Sequence, residues 1–296
     1  MNVKEKQKLA TPLILFFGVL CLSTSAIFVK LADAPSSITA FYRLFFTFLM
    51  LAPFAAASNS VRNELFALSK RQWGMCLVSG ILLAIHYILW FESLNYTSVA
   101  SSTVLVTLQP IFSILLGYFF LQERLNPAQI ASCLIAIGGS FIIGWGDFQT
   151  GAAALLGDGM ALLAAAFIST YFFIGQIARK RISVILYSVL SYFSSVIFLA
   201  AYALIKQDSF FPYTANVWLC FLGLAVISTL LGQFVFNILL KWVPATTISM
   251  SILGEPIGTC FLAYFILDEV ILFQQGLGIL VVLSGLGLFF FFQNRK

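Results

Sequence analysis

The chain has 296 residues, of which 61% are hydrophobic and only 9% charged; its net charge is +5 and its mean hydropathy +1.01. Soluble proteins carry roughly 25% charged residues, so this chain lacks the polar surface to cover a water-soluble fold. A soluble enzyme, a soluble binding module and a solvated nucleic-acid reader are thereby excluded.

Ten apolar runs fill the chain, at residues 12–32, 36–57, 73–93, 98–121, 126–145, 154–178, 182–205, 215–239, 245–267 and 271–293. Each is long enough, at 1.5 Å per residue, to cross a hydrocarbon layer of about 30 Å. Without water to bond the backbone, such runs must be helices. The expected fold is an all-α integral membrane protein of ten transmembrane helices, here numbered as spans 1 to 10.

Span 1 follows Lys4, Lys6 and Lys8, and Ala32-Asp33-Ala34 after it resembles a signal cleavage site. The run is long for a signal peptide and Pro35 would follow the cut, so span 1 is expected to be retained as a helix. Lys30 lies near its outer end, and Arg43 about seven residues, roughly 10 Å, inside span 2. These two snorkel to the interface, pair with Asp33, or serve function, since a charge within a span often does.

Span 3 carries His86-Tyr87-Ile88-Leu89-Trp90-Phe91-Glu92. His86 and Trp90, four apart, share one helical face and are candidate substrate contacts; the sole histidine otherwise bonds between helices, and Trp90 and Glu92 otherwise anchor at the interface. Gln109-Pro110 in span 4 and Glu255-Pro256 in span 9 fall mid-helix. Proline removes a donor and bends the helix, freeing carbonyls near Val106 and Ile252. Glu255 is the one acid central to any span. It must face the bundle interior, be paired or stay protonated, unless it merely caps groups freed by Pro256. Gln109 is equally a packing residue. Gln233 and Asn237 in span 8 form a second polar pair at helical spacing, facing a cavity or a neighbouring helix. The candidate substrate-binding set is therefore Arg43, His86, Trp90, Gln109, Gln233, Asn237 and Glu255, with Pro110 and Pro256 as kinks. Five cysteines fall in separate spans without metal-ligand spacing, so no metal site is expected.

Orientation follows from the basic residues. With the N-terminus cytoplasmic, Lys4, Lys6, Lys8, Arg62, Lys70, Arg71, Arg124, Arg179, Lys180, Arg181, Lys241, Arg295 and Lys296 lie inside and only Lys206 outside. This positive-inside bias puts both termini in the cytoplasm and accounts for the basic pI without nucleic acid. The chain also repeats itself. At an offset of 146 (Pro256 minus Pro110), Ile111 matches Ile257, Tyr118 Tyr264, Phe119 Phe265, Glu123 Glu269, Gln129 Gln275 and Gly139 Gly285; at 145, Tyr42 matches Tyr187 and Trp73 Trp218. Five spans per half is an odd number, so the second half enters the membrane inverted, the arrangement that supports alternating access.

Tyr96-Thr97-Ser98-Val99-Ala100 with Pro110 and Glu123, and the copy Pro244-Ala245 with Pro256 and Glu269, resemble the paired EamA domains of the drug/metabolite transporter superfamily. The resemblance covers essentially the whole chain, residues 1–145 as one repeat and 146–296 as the inverted second. It implies a cavity bounded mainly by helices 1, 3, 4, 6, 8 and 9, with helices 5 and 10 peripheral. It also implies secondary export of amino acids, related metabolites or drugs across the cytoplasmic membrane. A nucleotide-sugar or sugar-phosphate carrier is the alternative, and would need several cavity-facing basic residues. A membrane enzyme or scaffold is a third reading, but no convergent nucleophile and base is evident. Glu123 and Glu269 are expected to cap and pack helix ends, Asn126-Pro127 to start span 5, and Ser113, Gly117, Gly138, Gly139, Gly254 and Gly258 to permit close helix contact. No phosphate loop GxxxxGK[ST] is present, so no ATP motor and no cofactor are expected; the partners are a small-molecule substrate, lipid and, if transport is ion-coupled, protons.

Overall fold

A computed structural model describes residues 3–97, 99–144, 151–266 and 273–293. It is built from helices, and the ten spans emerge as α1 (Val3–Ala32), α2 (Ser36–Ala57), α3 (Lys70–Ser93), α4 in two halves (Val99–Val106 and Gln109–Leu121), α5 (Pro127–Gly144), α6 (Ala152–Ala178), α7 (Val184–Lys206), α8 (Ala215–Leu239), α9 in two halves (Ala245–Ile252 and Glu255–Ile266) and α10 (Phe273–Gln293). Nine of these are long and apolar enough to cross a membrane, and α5 is a shorter apolar helix. Hydroxyl and amide caps set several starts. Ser69 and Gln72 form a reciprocal capping box on α3, as do Asn126 and Gln129 on α5, where Pro127 takes the first helical position.

One element was not expected. A short helix, Asn59–Ala67, joins α2 to α3; Ser58 caps it, Val61 is buried and Phe66 is 86% exposed. Its nine residues are too polar to register as an apolar run.

Helix pairing obeys the internal repeat. α3 packs on α6 and α7, and the corresponding α8 packs on α1 and α2; α4 meets α6 where α9 meets α1. Three further close pairs, α2 with α7, α4 with α9 and α5 with α10, each join a helix to its own repeat mate. Such a pattern is unchanged when the halves are exchanged. The self-pairs are antiparallel. In α5 and α10, Ala136 faces Gly285, Gly139 faces Val282, and Ile143 faces Gly278, so one helix advances as the other recedes. Likewise Ser113 meets Ser249 at 2.7 Å while Glu123, two residues beyond the end of α4, meets Thr246 at 3.3 Å. Helices related by a twofold axis in the membrane plane must run this way, and the two halves are inverted.

Glycine makes the α5–α10 contact close. A Cβ on Gly139 would lie 2.6 Å from the Val282 amide nitrogen, and one on Gly285 would lie 2.5 Å from that of Ala136. Gly138, in contrast, faces open space. α5 and α10 otherwise lie at the margin of the bundle, touching each other more than the centre.

Candidate substrate site

The two prolines cut their helices. Pro110 has no N–H for the Val106 carbonyl, and Pro256 none for that of Ile252; α4 stops at Val106 and α9 at Ile252, and they restart after a gap of two residues, at Gln109 and Glu255. The breaks are stitched to the neighbouring helices in the same way. Ser23 Oγ of α1 donates to the Glu255 carbonyl (3.1 Å), and Ser169 Oγ of α6 donates to the Gln109 carbonyl (3.0 Å). Ser23 and Ser169 are themselves 146 residues apart, the same offset as the prolines, so this pair was available in the sequence but hidden among many serines.

Between the breaks lies a cavity of about 20 Å³, room for roughly one water molecule. Its walls bring together Arg43, His86, Trp90, Gln109, Gln233 and Glu255, with Tyr87 added and Leu22, Val106, Ile168, Phe172 and Ile252 completing the surface. Helices α1, α3, α4, α6, α8 and α9 thus bound it, together with α2 through Arg43. Asn237 stands apart: its Nδ2 donates to Tyr171 (2.6 Å) and Ser188 (3.2 Å) in an adjoining network.

Arg43 does not snorkel and does not reach Asp33. It is fully buried, with Nε donating to Thr229 Oγ1 (2.8 Å), Nη1 to Ser25 Oγ (2.6 Å), and the guanidinium carbon 4.2 Å above the Tyr87 ring. The guanidinium is thus held by hydroxyls and a π-face, with no carboxylate in contact. Glu255, 4% exposed and on the first turn of the second α9 half, has no side-chain hydrogen bond from the protein; the helix N-terminus favours its negative charge. His86 Nδ1 lies 3.0 Å from the Ala164 carbonyl and must carry the proton in that bond, which leaves Nε2 for other partners. Trp90 stacks near His86 at a centroid distance of 5.9 Å and is buried, so it is no interfacial anchor. Glu92, by contrast, does sit at a helix end, paired with Lys206 at 3.0 Å.

Among the residues that line the cavity, four buried polar atoms have no hydrogen-bond partner in the protein: Tyr87 Oη, Trp90 Nε1, Gln109 Oε1 and Gln233 Nε2. Buried polar groups left single are destabilising. Two donors, an acceptor and a hydroxyl, beside one cation and one acid, are left with hydrogen-bonding capacity that the protein does not use.

The basic end of the bundle is tied shut away from this cavity. Glu123 accepts from Gln176 Nε2 (2.7 Å) and Thr246 Oγ1 (3.3 Å), and Gln176 Oε1 in turn accepts from the Ala245 amide (2.7 Å). Glu123 therefore does hold helix ends, here those of α4, α6 and α9; Glu269 lies outside the described residues. At the opposite end, a polar recess of about 450 Å³ opens beside Lys30, Asp33, Ser36 and Asn95.

Inverted five-helix halves, two broken helices and a polar cavity at their crossing define a multi-span membrane transporter. The EamA-like transporter family model matches residues 10–145 and 155–291, one match per half. The chain belongs to that family, within the drug/metabolite transporter superfamily. It is similar to an uncharacterized transporter, YxxF, of Bacillus subtilis (24% identical over 97% of this chain and 91% of the relative) and to the pseudopaline exporter CntI of Pseudomonas aeruginosa (27% identical over 58% and 59%). A solved crystal structure, 18% identical, shares the fold with a TM-score of 0.78 over 96% of this chain and 97% of the other.

Proposed function

We propose that this transporter is a secondary exporter of small organic metabolites, amino acids or related compounds foremost, working by alternating access across the cytoplasmic membrane with both termini inside. The observation that carries the reading is the cavity itself: one cation and one acid, out of contact, on a wall with four unpartnered polar atoms. A zwitterion fits this arrangement, its carboxylate toward Arg43 and its ammonium toward Glu255, with Trp90, Gln109 and Gln233 supplying hydrogen bonds. At about 20 Å³ the cavity is far below the 300–1,000 Å³ of ordinary small-molecule sites. Admitting cargo therefore requires the halves to rock apart, and the symmetric breaks at Pro110 and Pro256 are where they can hinge. The export direction is supported by the similarity to an exporter.

A phosphate-bearing cargo fits less well, because Arg43 is the one basic residue lining the cavity and Lys30 lies exposed at the helix end. The transporter reading is favoured over an enzymatic one by the relatives, which are named as transporters.

The test is a thermal-stabilisation screen of purified protein across amino acids, nucleosides and antimicrobials, followed by flux of hits from proteoliposomes. Glu255 is the natural proton carrier if flux follows a pH gradient. Glu255→Gln is expected to fold, and to lose pH-gradient-driven flux; unchanged driven flux rejects Glu255 in that role, and absence of any flux from wild-type protein rejects the carrier reading.

A further inference from the structure

Along the third helix of the repeat, the offset between the halves steps by one residue. The N-caps of α3 and α8, Ser69 and Thr214, are 145 residues apart, as are Trp73 and Trp218; their C-caps, Leu94 and Leu240, are 146 apart, as are Pro110 and Pro256. α3 is a regular α-helix of 24 residues, whereas α8 runs 25 and is wound as a π-helix from Leu224 to Gln233. A π-turn, bonded i to i+5, takes up the extra residue inside an otherwise α-helical span. Packing on either side brackets it. Ala225 and Gly80, 145 apart, each give their carbonyl to a hydroxyl of the neighbouring helix, Thr47 and Ser195, whereas Gln233 and Tyr87, 146 apart, both face the cavity.

The second break in symmetry touches the first. Arg43 stands on α2 where α7 carries only serines at the corresponding positions, Ser188 by the offset of 145 that pairs Tyr42 with Tyr187 and Ser191 by the offset of 148 that pairs Thr47 with Ser195. Its Nε donates to Thr229 Oγ1, in the middle of the π-segment, and Thr229 Oγ1 gives its own proton to the Leu224 carbonyl five residues back (2.9 Å). That second bond turns an oxygen lone pair toward the guanidinium. We infer that the inserted residue and Arg43 form one device: the π-segment of α8 is the seat that holds the buried guanidinium at the cavity, with Thr229 as its positioning residue. The use of that charge for cargo rests on the function proposed above; the seat itself does not.

A double-variant cycle tests the seat without cargo. Deletion of Ile227, Arg43→Ser, and the two together are purified in detergent beside the wild type. Deletion alone is expected to lower Tm by about 5 °C or more, because it strands a buried charge; in the Arg43→Ser background it is expected to shift Tm by less than about 2 °C. Hydrogen exchange across 224–233 is expected to slow toward that of α3 in the double variant. Additive Tm shifts, or a double variant that does not fold, overturn the inference. Thr229→Val supplies a gentler arm: for any amino acid that wild-type proteoliposomes transport from an equimolar mixture, KM is expected to rise about tenfold with kcat within about twofold, and Thr229→Ser to restore it. An unchanged KM overturns the positioning role. If the cycle is coupled but the wild type moves none of the mixture, the amino-acid reading fails and the seat stands.

Discussion

The Glu255 carboxyl takes no hydrogen bond from the protein, whereas the Arg43 guanidinium 212 positions earlier (255 minus 43) is held by two hydroxyls and an aromatic face. A buried cation needs every bond it can find, because desolvation of a charge in the core is severe. Tyr87 contributes its ring face to that set while its hydroxyl remains unpartnered. Tyr87→Phe is therefore expected to change stability by less than about 0.5 kcal/mol, and Tyr87→Leu to destabilise by about 2 kcal/mol through loss of the desolvated cation–π contact; thermal unfolding of the two variants side by side checks this. Ser23 and Ser169 make equivalent bonds to the two breaks, so Ser23→Ala and Ser169→Ala are each expected to cost about 1 kcal/mol, a Tm shift of roughly 2–4 °C. A large inequality between them would mean that the two hinges are not mechanically alike. Rare residue types in unusual places, such as Glu255, Arg43 and His86, were legible in the sequence as site candidates. The serines were not, because a hydroxyl's value lies in the carbonyl opposite it.

At the scale of elements, the apolar runs and the helices agree closely: 36–57 and 215–239 are reproduced as Ser36–Ala57 and Ala215–Leu239, and other ends move by up to about three residues, except that α1 starts at Val3, nine residues before its apolar run. Length and hydropathy decide a span because the bilayer has one thickness and no hydrogen-bonding partner. They do not decide winding. The π-segment of α8 has the same apolar character as an α-helix, and only the step in repeat offset betrays it. The broken helices follow from proline. Pro256→Ala restores an N–H for the Ile252 carbonyl and is expected to raise Tm while slowing transport, since continuity across the break opposes hinging. A variant that is both stabilised and fully active would separate the break from the transport cycle. At the bundle margin, Gly139→Leu is expected to push α5 off α10 and to destabilise by about 1–3 kcal/mol or more, because the nearest atoms are backbone and cannot give way. The same change at Gly138, which meets nothing, is expected to be nearly silent in the same unfolding assay.

At the scale of the whole molecule, exchange of the halves leaves the helix pairing unchanged, and each self-paired helix runs against its mate. In the proposed alternating-access cycle, the inward-facing and outward-facing states of such a body are related by rotation about the twofold axis, hence similar in energy. Here the basic end is clasped through Glu123, Gln176 and Ala245, and the other end carries the polar recess. With cysteines placed at Ser60 and Ser209 in a cysteine-free background, a membrane-impermeant maleimide applied to intact cells is expected to label Ser209→Cys and spare Ser60→Cys; the reverse result would invert the orientation deduced from the basic loops.

Sequence alone determined the membrane as solvent, the ten spans, the inverted duplication and the two proline breaks, because each depends on local composition or on counting along the chain. Tertiary structure alone decided which polar residues share a cavity. It gathered Arg43 with Glu255 and Gln233, sent Asn237 to a neighbouring network, and buried Trp90 against His86. The physical reason is that a helical face is known from spacing only up to rotation about its axis. That rotation is set by what packs on the other side: by glycine contacts between α5 and α10, by two serines at the breaks, and by one additional residue in α8.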